Sequence, residues 1–321
     1  MKNTKELVHI VSFSGGRTSA YLVNLMLRAR NEFGWNVKFI FCDTGVEHTE
    51  TYAFIRNLVK FWDLYDLIIL RADVNPVLGK GNSYQVFEPN DLMNSSVMPP
   101  FEPFLSILKK YSTPSAFVPF CSPRMKEEVT AKYCNDTFGK GNYVTWLGIR
   151  SDEPKRLKPK EGIKYLADLQ QVEKSDVLEW WSHQPFDLQI EEQEGNCLFC
   201  VKKSTAKIAL AIKQNPNFYH QWKYHLRDKS IRVKEGHDPQ IMYRGRLSLE
   251  GIAKMYADQT EDEIRTRMRS ARRFESGDCT ESCEAFKATD SEVNFELINN
   301  QLYQEFEEQL NLGQFELELV A

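Results

Sequence analysis

The sequence lacks the features that mark membrane, secreted and repeat proteins. No apolar run approaches the roughly 18 residues that a helix needs to cross a bilayer. The apolar stretch at residues 7–13 is too short for the core of a secretory signal, and no small-residue cleavage site follows it. Internal repeats and low-complexity tracts are also absent. We therefore expect a cytoplasmic protein that makes no use of a membrane.

Charge of one sign is not in excess either. The 321 residues carry a formal net charge of −4, so no overall positive field points to nucleic acid, although a local basic stripe is compatible with it. Apolar residues make up 42% and charged residues 27% of the chain, which is the balance of an ordinary globular protein. The length suffices for a catalytic domain and an accessory region.

Strand and helix patterns alternate in the first half of the chain. Continuous apolar runs at residues 7–13, 37–42 and 67–70 predict strands buried on both faces. Amphipathic helices are predicted between them, at residues 18–30 and 49–62. This βαβαβ order predicts an α/β fold, an open, mostly parallel Rossmann-like sheet with helices on both faces.

The rest of the chain divides into three parts. Residues 74–119 contain seven prolines and predict a long irregular insertion, either a lid or a binding loop. A helix at 122–138 and a strand at 143–148 then resume the α/β pattern and complete a catalytic domain over residues 1–204. Residues 205–321 predict a mainly helical accessory region.

A glycine-rich loop joins the first strand to the first helix. Gly15 and Gly16 permit backbone conformations in which successive N–H groups turn inward to form an anion site. The following helix adds the positive end of its dipole. Arg17 can neutralise phosphate charge, and hydroxyl donors are supplied by Ser12, Ser14, Thr18 and Ser19. The alternative is a plain strand–helix turn with a hydroxyl cap. The loop is not a Walker A loop, since it lacks the four-residue spacer and the Gly-Lys-Ser/Thr end.

Residues 12–19, Ser-Phe-Ser-Gly-Gly-Arg-Thr-Ser, resemble the PP-loop of the adenine nucleotide α-hydrolase-like superfamily. Three further segments are similar to the phosphoadenosine phosphosulfate (PAPS) reductase family. Residues 41–51 resemble its Asp-Thr-Gly…Glu-Thr segment, residues 121–126 its Cys-x-x-Arg-Lys element, and residues 147–156 its Gly-x-Arg-x-Asp-Glu-Ser-x-x-Arg segment. All four occur in the order of that family and together cover roughly residues 7–205.

The resemblance implies that the chain binds ATP or another adenine nucleotide together with Mg²⁺. Asp43 would end the second strand beside the loop, and Arg150 would end another strand at the same edge of the sheet, where it could bind phosphate bidentately. The alternatives are a turn or cap role for Asp43 and surface charge for Asp152 and Glu153. The expected catalytic residues are Asp43, Arg124, Lys126 and Arg150. The expected nucleotide-binding residues are Ser12, Ser14, Gly15, Gly16, Arg17, Thr18, Ser19, Asp43, Thr44, Gly148 and Arg150.

Seven cysteines are present, and in the cytosol a close pair indicates a metal or redox site rather than a disulfide. Cys197 and Cys200 form a Cys-x-x-Cys pair that suits Zn²⁺ or part of a [4Fe–4S] cluster. In iron–sulfur members of the resembled family, a cysteine at the place of Cys121 joins such a pair. Sulfonucleotide reductases with a cluster have two adjacent cysteines there, but Phe120 takes the first place here. We expect a [4Fe–4S] cluster, with zinc or redox thiols as alternatives. The fourth ligand is absent or supplied by Cys279 or Cys283.

Three functions remain open. The first is an ATP pyrophosphatase that adenylates a substrate, whose AMP is then displaced by sulfur from a donor protein or sulfide, as in nucleic-acid thiolation. The second is a true sulfonucleotide (APS/PAPS) reductase. It is disfavoured because the Glu-Cys-Gly-x-His segment of such enzymes is missing, and the acidic neighbours of Cys279 and Cys283 would raise a thiol pKa. The third is a nucleotide-binding module without sulfur chemistry.

A nucleic-acid substrate is one further expectation. Basic residues follow Cys200 and mix with aromatic residues between 213 and 234, a pattern that suits phosphate contacts and base stacking. The same pattern suits an amphipathic helix whose aromatic residues lie in the core, which is the interpretation we favour. The residues concerned are Lys202, Lys203, Lys207, Lys213, Lys223, Arg227, Lys229, Arg232 and Lys234, with Phe218, Tyr219, Trp222 and Tyr224. The oligomeric state is left open, with a homo-oligomer among the options.

Overall fold

The computed structural model describes residues 7–272 of the chain. Its centre is a six-stranded sheet in the order β4-β3-β2-β1-β5-β6. Neighbouring strands are parallel except β3 and β4, which pair antiparallel. The strands are β1 (Val8–Phe13), β2 (Val37–Cys42), β3 (Ile68–Asp73), β4 (Ser83–Phe87), β5 (Tyr143–Leu147) and β6 (Ile163–Tyr165). The predicted open, mostly parallel α/β sheet is therefore confirmed.

Helices cover both faces of this sheet. The described helices are α1 (Arg17–Phe33), α2 (Thr49–Phe61), α3 (Phe104–Tyr111), α4 (Glu128–Phe138), α5 (Leu166–Leu169), α6 (Lys174–Ser182), α7 (Thr205–Gln214), α8 (Pro216–Leu226), α9 (Leu249–Met255) and α10 (Glu261–Arg272). A π-helical turn, Pro123–Glu127, leads into α4, and short 3₁₀ turns lie at Pro89–Asp91, Glu192–Glu194 and Arg244–Arg246.

The alternation of side chains along the strands produces two separate apolar layers. Val11 and Phe13 of β1 pack against α1, α2, α5 and α6 on one face, whereas Ile10 packs on the opposite face with α3, α4 and α7 to α10. Because both faces are covered, the central strands are apolar at nearly every position. The molecule has three layers, helices on sheet on helices.

The structure adds detail to two parts of the predicted organisation. The segment predicted as an irregular insertion contains β4, which pairs with β3 over five positions, and helix α3. The region after residue 204 is mainly helical up to residue 272, as predicted, and Ile208 of α7 and Trp222 of α8 share one apolar cluster with Ile10 of β1. Helices α7 to α10 therefore form one layer of the α/β fold up to residue 272.

The strand order changes direction at β1. From β1 the chain proceeds to β2 and β3 on one side, and it later returns to place β5 and β6 on the other side. Parallel strands that diverge in this way leave a crevice at their carboxyl ends, which is where open α/β sheets bind ligands. Within residues 7–272, no helix is both long and apolar enough to cross a bilayer.

Candidate functional site

The glycine-rich loop lies at this crevice and is held in one shape by its own serines. The backbone N–H of Ser14 donates to Ser19 Oγ at 3.1 Å, the Ser14 hydroxyl lies 2.8 Å from the same oxygen, and Ser19 Oγ donates to the Gly16 carbonyl at 3.0 Å. Gly15 has a φ of +80°, and a Cβ there would lie 2.6 Å from Thr51 Cγ2. The loop therefore requires glycine for both its conformation and its space.

The end of β5 meets the first turn of α1 beside this loop. A Cβ on Gly148 would lie 2.9 Å from Ser19 Cα, so only glycine permits this close approach. Arg150 is buried, and its Nη1 donates to Thr18 Oγ1 at 3.1 Å while its Nε donates to Asp152 Oδ1 at 2.8 Å. Because Thr18 Oγ1 accepts from Arg150, its own hydrogen is available for a phosphate oxygen. The N-terminus of α1 thus combines oriented donors with a buried cation.

A cleft opens over these groups, with a volume of about 590 Å³ including the part open to solvent. Its lining contains six of the predicted loop residues and both residues predicted at the end of β5. The lining residues are Ser14, Gly15, Gly16, Arg17, Thr18, Ser19, Thr51, Gly148, Arg150, Glu153, Arg156, Leu188, Ile190, Glu191, Gly195 and Asn196.

Sequence reasoning missed the second wall of the cleft. Leu188, Ile190, Glu191, Gly195 and Asn196 come from a segment more than 160 residues after the loop. Neither helical nor strand periodicity marks this segment. The adjacent Cys-x-x-Cys pair is the one signal in the sequence that points to it.

Two predicted site residues, Asp43 and Thr44, do not line the cleft. Asp43 is fully buried at the end of β2. Its Oδ2 accepts from Arg71 Nε at 2.7 Å, and its Oδ1 accepts from Tyr52 Oη at 2.7 Å and from the Gly45 N–H at 2.8 Å. The bond from the Gly45 N–H is the contact expected of a turn residue, and the nucleotide-binding and catalytic roles of Asp43 stay predictions. Arg71 and Tyr52 themselves were not predicted as part of this region.

A buried carboxyl group continues this network toward the cysteines. Glu47 Oε1 accepts from Thr44 Oγ1 at 2.7 Å and lies 3.8 Å from Lys126 Nζ. Burial raises the pKa of Glu47, an effect that the Lys126 cation partly offsets. Thr44 Oγ1 also lies 3.4 Å from Cys197 Sγ. Thr44 and the predicted catalytic residue Lys126 are therefore joined to the cysteine segment through Glu47.

Cys197 lies directly behind the cleft wall. Its backbone pairs with Glu47 in an antiparallel bridge, and burial, assisted by the Glu47 charge, raises the pKa of its thiol to about 12. The segment is fastened by Lys203, whose buried ammonium donates to the carbonyls of Gln193, Cys197 and Leu198 at 2.6–3.0 Å. Gly195 and Asn196 reach the cleft while the thiol itself faces Thr44.

The predicted metal site is not assembled in residues 7–272. This part of the chain contains no group of three or more His, Cys, Asp or Glu side chains placed to hold a metal ion. Cys121, Cys197 and Cys200 are thiols rather than disulfides, each half-buried. The possible fourth ligands, Cys279 and Cys283, lie outside the described residues.

Arg124 lies away from the cleft lining. Its guanidinium donates to both oxygens of Glu128 at 2.6 and 2.8 Å and stacks over the Tyr111 ring. With 40% of its side chain exposed, it forms a surface pair at the start of α4. Ser12 belongs to β1 and likewise does not line the cleft. The structure thus brings together the loop, Gly148 and Arg150, but not Arg124.

The aromatic and basic residues in and around α8 are divided between the core and the surface. Trp222 is 2% exposed, and Phe218 stacks on Phe101 at a centroid distance of 5.4 Å. Lys203 and Lys207 are buried as well. Tyr224, at 77% exposure, is the aromatic residue of this helix that faces solvent. These contacts agree with the core interpretation for Trp222 and Phe218.

Two comparisons with known proteins extend these observations. Residues 8–88 match the phosphoadenosine phosphosulfate reductase domain, a span that contains β1, the loop, β2, α2 and β3. Over 281 residues the chain is 50% identical to the "Uncharacterized nin region protein ORF290" of Escherichia phage lambda. The aligned region covers 87% of this chain and 96% of the phage protein. The chain therefore belongs to the family of this phage lambda protein, and its residues 8–88 are similar to the phosphoadenosine phosphosulfate reductase domain.

Proposed function

We propose that the protein is a PP-loop ATP pyrophosphatase. It binds ATP in the cleft, transfers the adenylyl group to a substrate and releases pyrophosphate, after which sulfur displaces AMP. One observation carries this proposal: the preformed loop, Gly148 and Arg150 meet at the point where the strand order reverses. A plain strand–helix turn would need neither the close approach of Gly148 nor a buried arginine against Thr18.

The chemistry of adenylyl transfer suits this arrangement. A nucleophilic oxygen of the substrate attacks the α-phosphorus, and the bond from that phosphorus to the bridging oxygen breaks, so that pyrophosphate leaves with the electron pair. Thr18 and the N-terminal N–H groups of α1 would bind phosphate oxygens, and Arg150 would stabilise the developing negative charge. Mg²⁺ arrives as part of the ATP substrate. The protein contributes positioning and electrostatic stabilisation.

The sulfur-transfer part of the proposal rests on the position of the cysteine segment. Gly195 and Asn196 line the cleft, and Cys197 follows them directly. Sulfur would come from a donor protein or from sulfide. We propose a nucleic-acid base as the acceptor, with the exposed Tyr224 beside Lys223 and Arg227 as a surface suited to a polynucleotide.

The test is turnover of ATP in the presence of Mg²⁺, measured as AMP and pyrophosphate formed in equal amounts, with and without sulfide and tRNA or DNA. Arg150→Lys keeps the charge but loses the bidentate geometry, and we expect its rate to fall by about 100-fold. Lys132→Gln is the matched control, because Lys132 lies on the exposed side of α4 and pairs with Asp136 at 3.0 Å, away from the cleft. Release of ADP and phosphate instead of AMP and pyrophosphate would overturn the proposal.

The match to the reductase domain supports sulfonucleotide reduction as a second candidate. Its product would be sulfite, formed from APS or PAPS with a thiol reductant. The lining of the cleft contains no cysteine within the described residues, which disfavours direct attack on a bound sulfonucleotide. Sulfite release from either compound, with no turnover of ATP, would establish the reductase. Tight binding of ATP with no product under any of these conditions would leave a nucleotide-binding module.

A further inference from the structure

The arginine of the glycine-rich loop lines the cleft but is paired with a carboxylate of the protein. Arg17 Nε donates to Asp187 Oδ1 at 2.7 Å, and its Nη2 donates to Asp187 Oδ2 at 2.9 Å and to the Leu188 carbonyl. The Arg17 carbonyl in turn accepts from Trp181 Nε1 at 3.0 Å. The Arg17 side chain is 21% exposed, and its guanidinium forms the bidentate geometry that arginine prefers with a carboxylate. Its charge is therefore used within the protein.

The partner of Arg17 begins the second wall of the cleft. From Asp187 the chain runs through Leu188, Ile190 and Glu191 to Asn196, and four of these five residues line the cleft. A wall made of irregular backbone needs anchors, since loops are otherwise the most mobile parts of a fold. The Arg17–Asp187 pair is the anchor that joins this wall directly to the phosphate-binding loop.

The far end of the wall is anchored separately. Glu191 accepts from Arg265 of α10 at 2.7 Å and from Gln214 of α7 at 2.9 Å. Glu194 accepts from Asn215 at 2.7 Å. Loss of the Arg17 anchor should therefore loosen the Asp187 end of the wall and leave the other end in place.

The chemistry of the two walls differs. The loop wall presents N–H groups and hydroxyls, which suit phosphate. The two large apolar side chains of the lining, Leu188 and Ile190, both stand on the second wall. A nucleotide has one apolar part, the faces of its base, and the base must lie away from the phosphate donors.

We propose that Arg17 is a positioning residue: it holds Asp187 so that Leu188 and Ile190 form the wall that receives the base, and it is not a phosphate ligand. This inference rests on the proposed function, because it assumes that the cleft binds a nucleotide. The two possible roles of Arg17, phosphate ligand and anchor of the base wall, predict different effects when Arg17 is removed. A phosphate ligand would matter for ATP and pyrophosphate, whereas an anchor of the base wall matters equally for ATP, AMP and adenosine and little for pyrophosphate.

The experiment is a double-mutant cycle with Arg17→Ala, Asp187→Ala and the double variant. Dissociation constants are measured by calorimetry for ATP, AMP, adenosine and pyrophosphate. Each single variant should weaken the three nucleoside ligands by about tenfold, the usual effect of losing a partly exposed charge-assisted pair. The double variant should be no weaker than either single variant. Leu188→Ala should weaken the same three ligands and spare pyrophosphate. Arg28→Gln is the matched control, because Arg28 is a half-buried arginine elsewhere on α1 that pairs with Glu32.

A second measurement needs no nucleotide. Hydrogen exchange of the amides at residues 187–190 should become faster in Arg17→Ala and Asp187→Ala, while residues 191–196 stay protected. The reversed pair, Arg17→Asp with Asp187→Arg, should restore protection. Additive losses in the cycle, or a loss of pyrophosphate affinity in Arg17→Ala that Asp187→Ala does not share, would overturn the inference. If the unaltered protein binds no nucleotide at all, the proposed function fails, and unchanged exchange in the variants would separately refute the anchor.

Discussion

The contact between Gly148 and the first turn of α1 allows one prediction to be worked out in detail. In Gly148→Ala the added methyl would lie 2.9 Å from Ser19 Cα and 3.0 Å from Ser19 N. Ordinary contacts between carbon atoms lie at about 3.5–4.0 Å, so β5 and α1 must separate by roughly half an ångström or more. Both neighbours are backbone atoms, which means that no side chain can rotate to relieve the contact.

The expected cost follows from this rigidity. Overpacking of a well-packed interior typically costs about 1–3 kcal/mol, and we expect a loss of unfolding free energy in that range. The effect on the site should exceed the effect on stability. Ser19 Oγ accepts from Ser14 N and donates to the Gly16 carbonyl, so a shift of Ser19 distorts the whole loop. We expect ATP affinity to fall by at least about tenfold, since small displacements of positioning groups have large effects.

The chain offers a matched control. Gly81 is exposed and needs no left-handed backbone, and a methyl group added there would meet no atom within 4 Å, so Gly81→Ala adds the same group in open space. It should be neutral or stabilise by a few tenths of a kcal/mol. Urea denaturation gives the free energies of unfolding, and calorimetric titration with ATP gives the affinities. If Gly148→Ala matched Gly81→Ala in both measurements, the close approach of β5 and α1 would not be required for the site.

Buried groups give three further predictions. Asp43→Asn removes one partner of the buried pair with Arg71, and urea denaturation should show a loss of about 3–5 kcal/mol; a loss below about 1 kcal/mol would contradict the ion pair. Burial lowers the pKa of His9 from 6.5 to about 3, so between these pH values His9 is protonated in the unfolded chain but neutral in the folded protein. The stability that neutral His9 provides is present above pH 6.5 and is lost as the pH falls toward 3, by about 2 kcal/mol between pH 8 and pH 5. In His9→Gln, the free energy of unfolding measured in urea should depend less on pH over this range. An unchanged pH dependence would refute the assignment. Because its thiol pKa is raised to about 12, Cys197 should react with iodoacetamide far more slowly than a free thiol at pH 8. Mass spectrometry after timed labelling measures this reaction rate. A separate analysis of iron, sulfide and zinc in anaerobically purified protein tests the predicted cluster. Four irons per chain would require thiolate ligands that the described residues do not assemble.

Much of the central fold could be predicted because buried parallel strands leave a clear pattern. The observed β2 (Val37–Cys42) coincides with the predicted strand, and β1 differs by one residue. Helices α1 and α2 could be predicted from their apolar period of 3.6 residues. The edge strands could not. β4 (Ser83–Phe87) is exposed along much of its length and β6 (Ile163–Tyr165) has three residues, so neither carries a long apolar run.

The candidate site divides in the same way. The loop could be identified because the left-handed backbone at Gly15 is a local requirement, which a short segment encodes, whereas Gly148 was expected from the resemblance of residues 147–156 to a family segment. The ion pair of Arg17 could not be predicted, because its partner Asp187 lies 170 residues away and no periodicity links them. The position of Asp43 at the end of β2 follows from the strand pattern, but its bonds to Arg71 depend on the pairing of β2 with β3.

The sequence by itself thus determined the α/β class, the central strands and the glycine-rich loop between the first strand and the first helix. These features depend on contacts between residues that are close in the chain, where hydrophobic period and glycine content act directly. The tertiary structure alone decided which charges face the cleft, which are paired within the protein, and which segment forms the second wall. Those properties depend on which distant segments pack together, because a charge or a thiol changes its chemistry with the partners and the burial that the fold provides.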